Sequence, residues 1–164
     1  METLSNVQRK ASLWIINTSS IPSLIKRIQR APTQQQDDSN SSETEQFSSV
    51  AKVALTFVSK HCPTVYKPHV GEFAKALADE KNAQLGEVAL QALAAVRWEG
   101  SERYGLRYTT YVSMSTMIPQ RRMRDRIVKY ALGANVRHAK FAGRLIGHMK
   151  DEELSLKVVN VRLW

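Results

Sequence analysis

Cysteine occurs once in this chain, at Cys62. A single cysteine excludes an internal disulfide framework and fits a reducing compartment. Standing just before Pro63, it reads as a small buried hydrophobe at a helix end rather than as a nucleophile. Long apolar runs are missing too: nothing approaches the ~18 apolar residues of a membrane-spanning helix. Glu2, Gln8, Arg9 and Lys10 interrupt any secretory pattern at the start. No phosphate-cradling glycine loop, paired-carboxylate arrangement or hydrolase elbow occurs. His61, His69, His138 and His148 are too dispersed for a metal site. These gaps point away from an enzyme, a cofactor, a metal and a small-molecule substrate. Two motif matches carry little. Asn17-Thr18-Ser19 and Asn40-Ser41-Ser42 fit glycosylation acceptors but lack a secretion signal. Gly143 and Gly147 form GxxxG, yet Arg144 and His148 argue for close helix packing, not a membrane.

Negative charge is scarce in one place. The net charge of +9 is uneven: between residues 121 and 150, Arg121, Arg122, Arg124, Arg126, Lys129, Arg137, Lys140, Arg144 and Lys150 face only Asp125, a local excess of +8. Such a region favours acidic partners, whether nucleic acid, an acidic protein segment or a polyphosphate; it could also be a solvated helix face.

What the chain has in quantity is helical periodicity. Hydrophobic residues make up 43% of its 164 residues, enough for a core. Residues 6–16 read as a weak helix, with Val7, Ala11, Trp14 and Ile15 on one side. Pro22 sits in the first turn of a second helix carrying Ile21, Leu24, Ile25 and Ile28. The polar run from Pro32 to Ser42 cannot bury enough surface to offset its ordering entropy and reads as a disordered loop. Ser42 and Glu45 fit a capping box, although serines in an acidic context could also accept phosphate. A third helix carries Phe47, Val50, Ala51, Ala54 and Val58 and stops at Cys62-Pro63. A fourth carries Tyr66, Val70, Phe73 and Leu77. After the polar turn Asp79–Asn82, a fifth carries Leu85, Val88, Ala89, Ala92, Leu93 and Val96. The spacing then deteriorates: Tyr108–Ser115 has strand-like composition without a partner. Helical spacing returns with Met123, Ile127, Tyr130 and Ala131. Gly133 reads as a C-cap, and Asn135 as the cap of a helix carrying Val136, Ala139, Ala142, Leu145, Ile146 and Met149. Helix pairs of this size cannot bury their apolar faces alone and need neighbouring pairs. Pro22 and Pro68, each opening a helix, stand 46 residues apart, within the range of HEAT-type repeats.

Several blocks also carry a resemblance. Phe57–Val70, Leu77–Asn82, Glu87–Val96 and Leu132–Ala142, with Trp14–Asn17 and Ser19–Pro22 ahead of them, resemble fungal cohesin accessory proteins of the precocious-dissociation-of-sisters (Pds) family, in the family's order. The resemblance implies a piece of a large nuclear, chromatin-associated HEAT-repeat protein. Such a protein binds the kleisin subunit of cohesin and, with the release factor Wapl, helps decide whether cohesin stays on chromatin. Residues 99–120 and 158–164 fall outside the recognisable blocks, as a gene fragment or translated intron would.

The expectation is therefore an all-α, HEAT-like α-solenoid fragment. It comprises a helix pair at 1–30, a disordered loop at 31–44, HEAT-like helices at 45–98, an irregular insert at 99–120, a basic helix pair at 121–150 and an irregular tail at 151–164. The expected role is a non-enzymatic scaffold that binds kleisin, and a Wapl-type factor, to control cohesion and release. Its candidate partner-binding residues are Arg121, Arg122, Arg124, Arg126, Lys129, Arg137, His138, Lys140 and Arg144. The alternative is a HEAT-like nucleic-acid-binding module whose basic helices contact phosphates.

Overall fold

A computed structural model describes residues 20–29, 41–97 and 117–162. Among these residues every regular element is helical: α1 (Ser20–Gln29), α2 (Ser41–His61), a 3-10 helix (Pro63–His69), α3 (Val70–Ala78), α4 (Ala83–Ala95), α5 (Met117–Leu132), α6 (Val136–Met149) and α7 (Glu152–Arg162). Successive helices pack as pairs, α1 on α2, α3 on α4 and α5 on α6. The pairs stack so that α3, α5 and α7 form one row and α2, α4 and α6 the other. This two-row stack is the all-α, HEAT-like arrangement that the periodicity predicts.

The core follows the apolar stripes. Ile21, Ile25 and Ile28 of α1 are buried, at the four- and three-residue offsets that place side chains on one helix face. In α3, Val70, Phe73 and Leu77 are fully buried. Helix α4 sits between neighbours in both rows and buries Leu85, Val88, Ala89, Leu90, Ala92, Leu93 and Ala94, as a helix apolar nearly all round must. Met123 and Ile127 of α5 and Ala142, Leu145 and Met149 of α6 complete the cluster.

Two hinge points are fixed by side chains. Asn82 caps α4, its Oδ1 accepting from the Leu85 N–H at 2.9 Å, while its Nδ2 donates to the Ile28 carbonyl at 3.0 Å. One residue thus satisfies the start of α4 and an end carbonyl of α1, tying the first pair to the second. Tyr66, fully buried, donates its hydroxyl to the Leu55 carbonyl at 2.5 Å and stacks edge-on against Phe73 at 4.9 Å. Burial pushes the Tyr66 phenol well above its ordinary value.

The structure departs from the sequence reading in several places. Helix α2 begins at Ser41, inside the expected 31–44 loop, and α5 at Met117, inside the expected 99–120 insert. The fourth helix does not start at Tyr66: Pro68 removes an amide donor, and the segment is 3-10 until Val70. Val50 is 65% exposed, because the buried stripe of α2 is Ala51, Leu55 and Val58; Val136 is 81% exposed at the start of α6. Gly143 and Gly147 face open space rather than a close-packed helix among the described residues. The tail is helical through Arg162. Helix α6 ends with Lys150 in the left-handed conformation, its N–H donating to the Ile146 carbonyl at 3.2 Å, and Asp151, 1% exposed, then opens α7, accepting from the Leu154 N–H at 3.2 Å. Glu152 and Glu153 then occupy the first turn of α7, where the helix dipole favours anions. The expected helix at 6–16, the interior of the polar loop and the strand-like stretch at 108–115 lie outside the described residues.

Candidate partner-binding groove

The nine sequence candidates do not form one face. Arg121, Arg122, Arg124, Arg126 and Lys129 belong to α5, whereas Arg137, His138, Lys140 and Arg144 belong to α6 in the other row. Two of the α5 cations hold the array together. Arg124 donates to Asp151 at 3.0 Å and to Glu153 at 2.9 Å, clamping α5 to the start of α7. The Asp151 carboxylate is almost wholly buried, so Arg124 supplies a countercharge that this burial demands. Arg126 runs into the seam between α4 and α5, donating to the Asp79 carbonyl and to the Tyr130 hydroxyl. A side chain at Gly86 would block that path: a Cβ there would lie 2.6 Å from Arg126 Nη2. Arg121, Arg122 and Lys129 remain exposed.

His138 is also engaged. Its ring lies edge-on to Tyr130 at 5.4 Å, and its Nε2 is 3.9 Å from Glu87. It lines a cleft of about 730 Å³ with Glu80, Glu87, Asp125, Arg126, Lys129 and Tyr130. Three carboxylates offset the cations there, so the cleft has no net preference for an anion.

The row of α2, α4 and α6 is different. Two adjoining cavities, of about 310 and 660 Å³, share Thr56, Gln91, Arg137 and Phe141 and so form one groove across the three helices. Helix α2 supplies Lys52, Val53, Ser59, Lys60 and His61; Arg97 follows α4; Arg144 lies two turns along α6 from Arg137. The two ends are electrostatically unequal. At one, Glu87 lies 3.8 Å from Lys52 and faces His138. At the other, Lys60, Arg97 and Arg144 gather beside His61 with no carboxylate paired to them among the described residues. Lys60 lies in the last turn of α2 and Arg97 just beyond the end of α4, where helix dipoles favour cations. Arg137 is held over the Phe141 ring at 5.7 Å, bringing a cation and an aromatic surface together on the groove wall.

Lys52, Lys60, His61 and Arg97 are groove residues that the sequence reading missed. They are scattered among helices, and only stacking gathers them. A signal was present in α2: Lys52, Thr56 and Lys60 recur every four residues as a second, polar stripe beside the apolar one. Among the described residues no cluster of His, Cys, Asp or Glu could hold a metal ion, and no helix is long and apolar enough to cross a membrane.

Comparison with known proteins gives one family. The family model described as sister chromatid cohesion protein PDS5 matches residues 1–164, running through the stretches at 99–120 and 158–164 that the recognisable blocks omit. It speaks to the family as a whole and not to a fungal branch. No curated protein and no solved structure matches the chain.

Proposed function

Since the chain belongs to the PDS5 family of sister chromatid cohesion proteins, we propose that it is a non-enzymatic scaffold that binds the kleisin subunit of cohesin and a Wapl-type release factor, and through them controls whether cohesin is retained on chromatin. Its setting is the nucleus, on chromatin. The observation that carries this reading is the groove on the α2, α4 and α6 row, with cations gathered at one end and Phe141 on its wall. A stacked array holds such a surface without moving parts, which suits the capture of a protein segment. Arg137 and Arg144 line the groove and Lys140 is exposed on the same helix.

A pull-down of kleisin at low salt tests the reading. Reversing charge at Arg137, Lys140 and Arg144 together should weaken capture without loss of helicity. Unchanged capture would remove the basic residues of α6 from the mechanism. The nucleic-acid reading keeps one specific support, the exposed Arg121, Arg122 and Lys129 on α5. It predicts duplex binding with a steep salt dependence and no affinity for kleisin.

A further inference from the structure

The groove is polarised, and its polarity defines an occupant. Its positive end holds Lys60, Arg97 and Arg144. Towards the other end, Val53 lines the wall and is 66% exposed, with Val50 one turn earlier on α2 exposed to 65%. Large aliphatic side chains left in water beside a groove are candidates for contact with a partner. Lys52, Glu87 and His138 offset one another there. One end therefore offers apolar contact and the other positive charge without a paired carboxylate among the described residues, with Arg137 and Phe141 between them.

We propose that this groove docks a short protein segment carrying an aliphatic anchor and an acidic cluster, the anchor on Val53 and the acids on Lys60, Arg97 and Arg144. The inference rests on the scaffold reading above and names the chemistry of the partner at that site. Val53 and Lys60 are seven residues apart on α2, about 10 Å at the helical rise. An extended segment spans that distance in about three residues. Nucleic acid fits the groove poorly. Its affinity comes from many phosphate contacts along a continuous basic track. Here the cations concentrate at one end, and Glu87 stands in the groove at the other.

The test uses the whole chain and a fluorescent peptide in which one leucine is followed, after three residues, by three glutamates. Fluorescence anisotropy measures its binding to the wild-type chain and to three variants, with circular dichroism confirming that each keeps its helicity. Binding to the wild type is expected, weakened about tenfold or more by Lys60→Glu with Arg144→Glu, since like charge replaces complementary charge at two positions. Val53→Asp is expected to weaken it several-fold, as is replacing the peptide leucine by serine. Arg121→Glu with Arg122→Glu, on the other row, should change it less than about twofold at a screening salt concentration. No binding by the wild type, or groove variants that bind as the wild type does, overturns the proposal. So does a DNA duplex that displaces the peptide at equal concentration. Kleisin measured in parallel separates the two levels. Kleisin binding that ignores the groove variants overturns the groove assignment and leaves the scaffold reading standing. Groove-dependent peptide binding without kleisin binding does the reverse.

Discussion

Replacing Gly86 by alanine inserts a methyl group into the seam where Arg126 crosses from α5 to α4. The new Cβ would lie 2.6 Å from Arg126 Nη2, 2.9 Å from its Cζ and 3.1 Å from the Tyr130 hydroxyl. The guanidinium is the end of a flexible side chain, so it moves aside and gives up its hydrogen bond to the Asp79 carbonyl. A hydrogen bond from a charged donor contributes about 1.5–3 kcal/mol, and the lower half of that range suits a partly exposed side chain. Alanine in a helix interior returns about 1 kcal/mol relative to glycine. The net expectation is a loss of about 1 kcal/mol, a fall in Tm of about 2–4 °C for a chain of this size. With Arg126→Ala already in place the obstruction is gone. Tyr130 then needs to yield only slightly, and Gly86→Ala should stabilise. Urea denaturation of the four proteins gives the cycle. Stabilisation by Gly86→Ala in the wild-type background, or the same effect in both backgrounds, would refute the reasoning.

Two further predictions concern the hinge points. Asn82→Ala removes both the cap of α4 and the bond to the Ile28 carbonyl, about 2 kcal/mol together. Asn135→Ala removes only the cap of α6, about 1 kcal/mol; equal losses in thermal denaturation would show that Asn82 does not join the first two pairs. Tyr66→Phe should cost about 1 kcal/mol near neutral pH, since Ser59 still donates to Leu55. Because burial raises the folded phenol above its ordinary value of 10.0, the stability that Tyr66 provides is fully present below that pH and is lost as pH rises beyond it. The Phe variant should therefore fall less steeply above about pH 10, and parallel stability curves would contradict the burial argument.

Periodicity made the core legible because Ile21, Phe73, Leu85 and Ile127 are buried by the same offsets that are written in the sequence. Its errors have physical causes. In α2, Val50 and Val53 compete with Ala51, Leu55 and Val58 for the buried face. Hydropathy alone does not choose between overlapping stripes; packing against α1 and α4 does. The tail expected to be irregular from residue 151 is helical, because Asp151 caps α7 and Glu152 and Glu153 suit its first turn. The candidate site was legible only in part. Counting cations along 121–150 finds Arg137 and Arg144, which line the groove, together with Arg124 and Arg126, which are structural. Charge density carries no information about which cations find carboxylates or carbonyls in the fold. The polar stripe of Lys52, Thr56 and Lys60 is local to α2, but only the stacking of distant segments brings it beside Arg97 and α6.

The most direct test of a groove-bearing cohesin scaffold is amide hydrogen exchange of the chain with and without a kleisin fragment. Slowed exchange should concentrate in the C-terminal half of α2, the residues around Arg97 and the stretch of α6 from Arg137 to Arg144, with α5 and α7 little changed. Protection confined to α5, or no protection at saturating kleisin, would contradict the account.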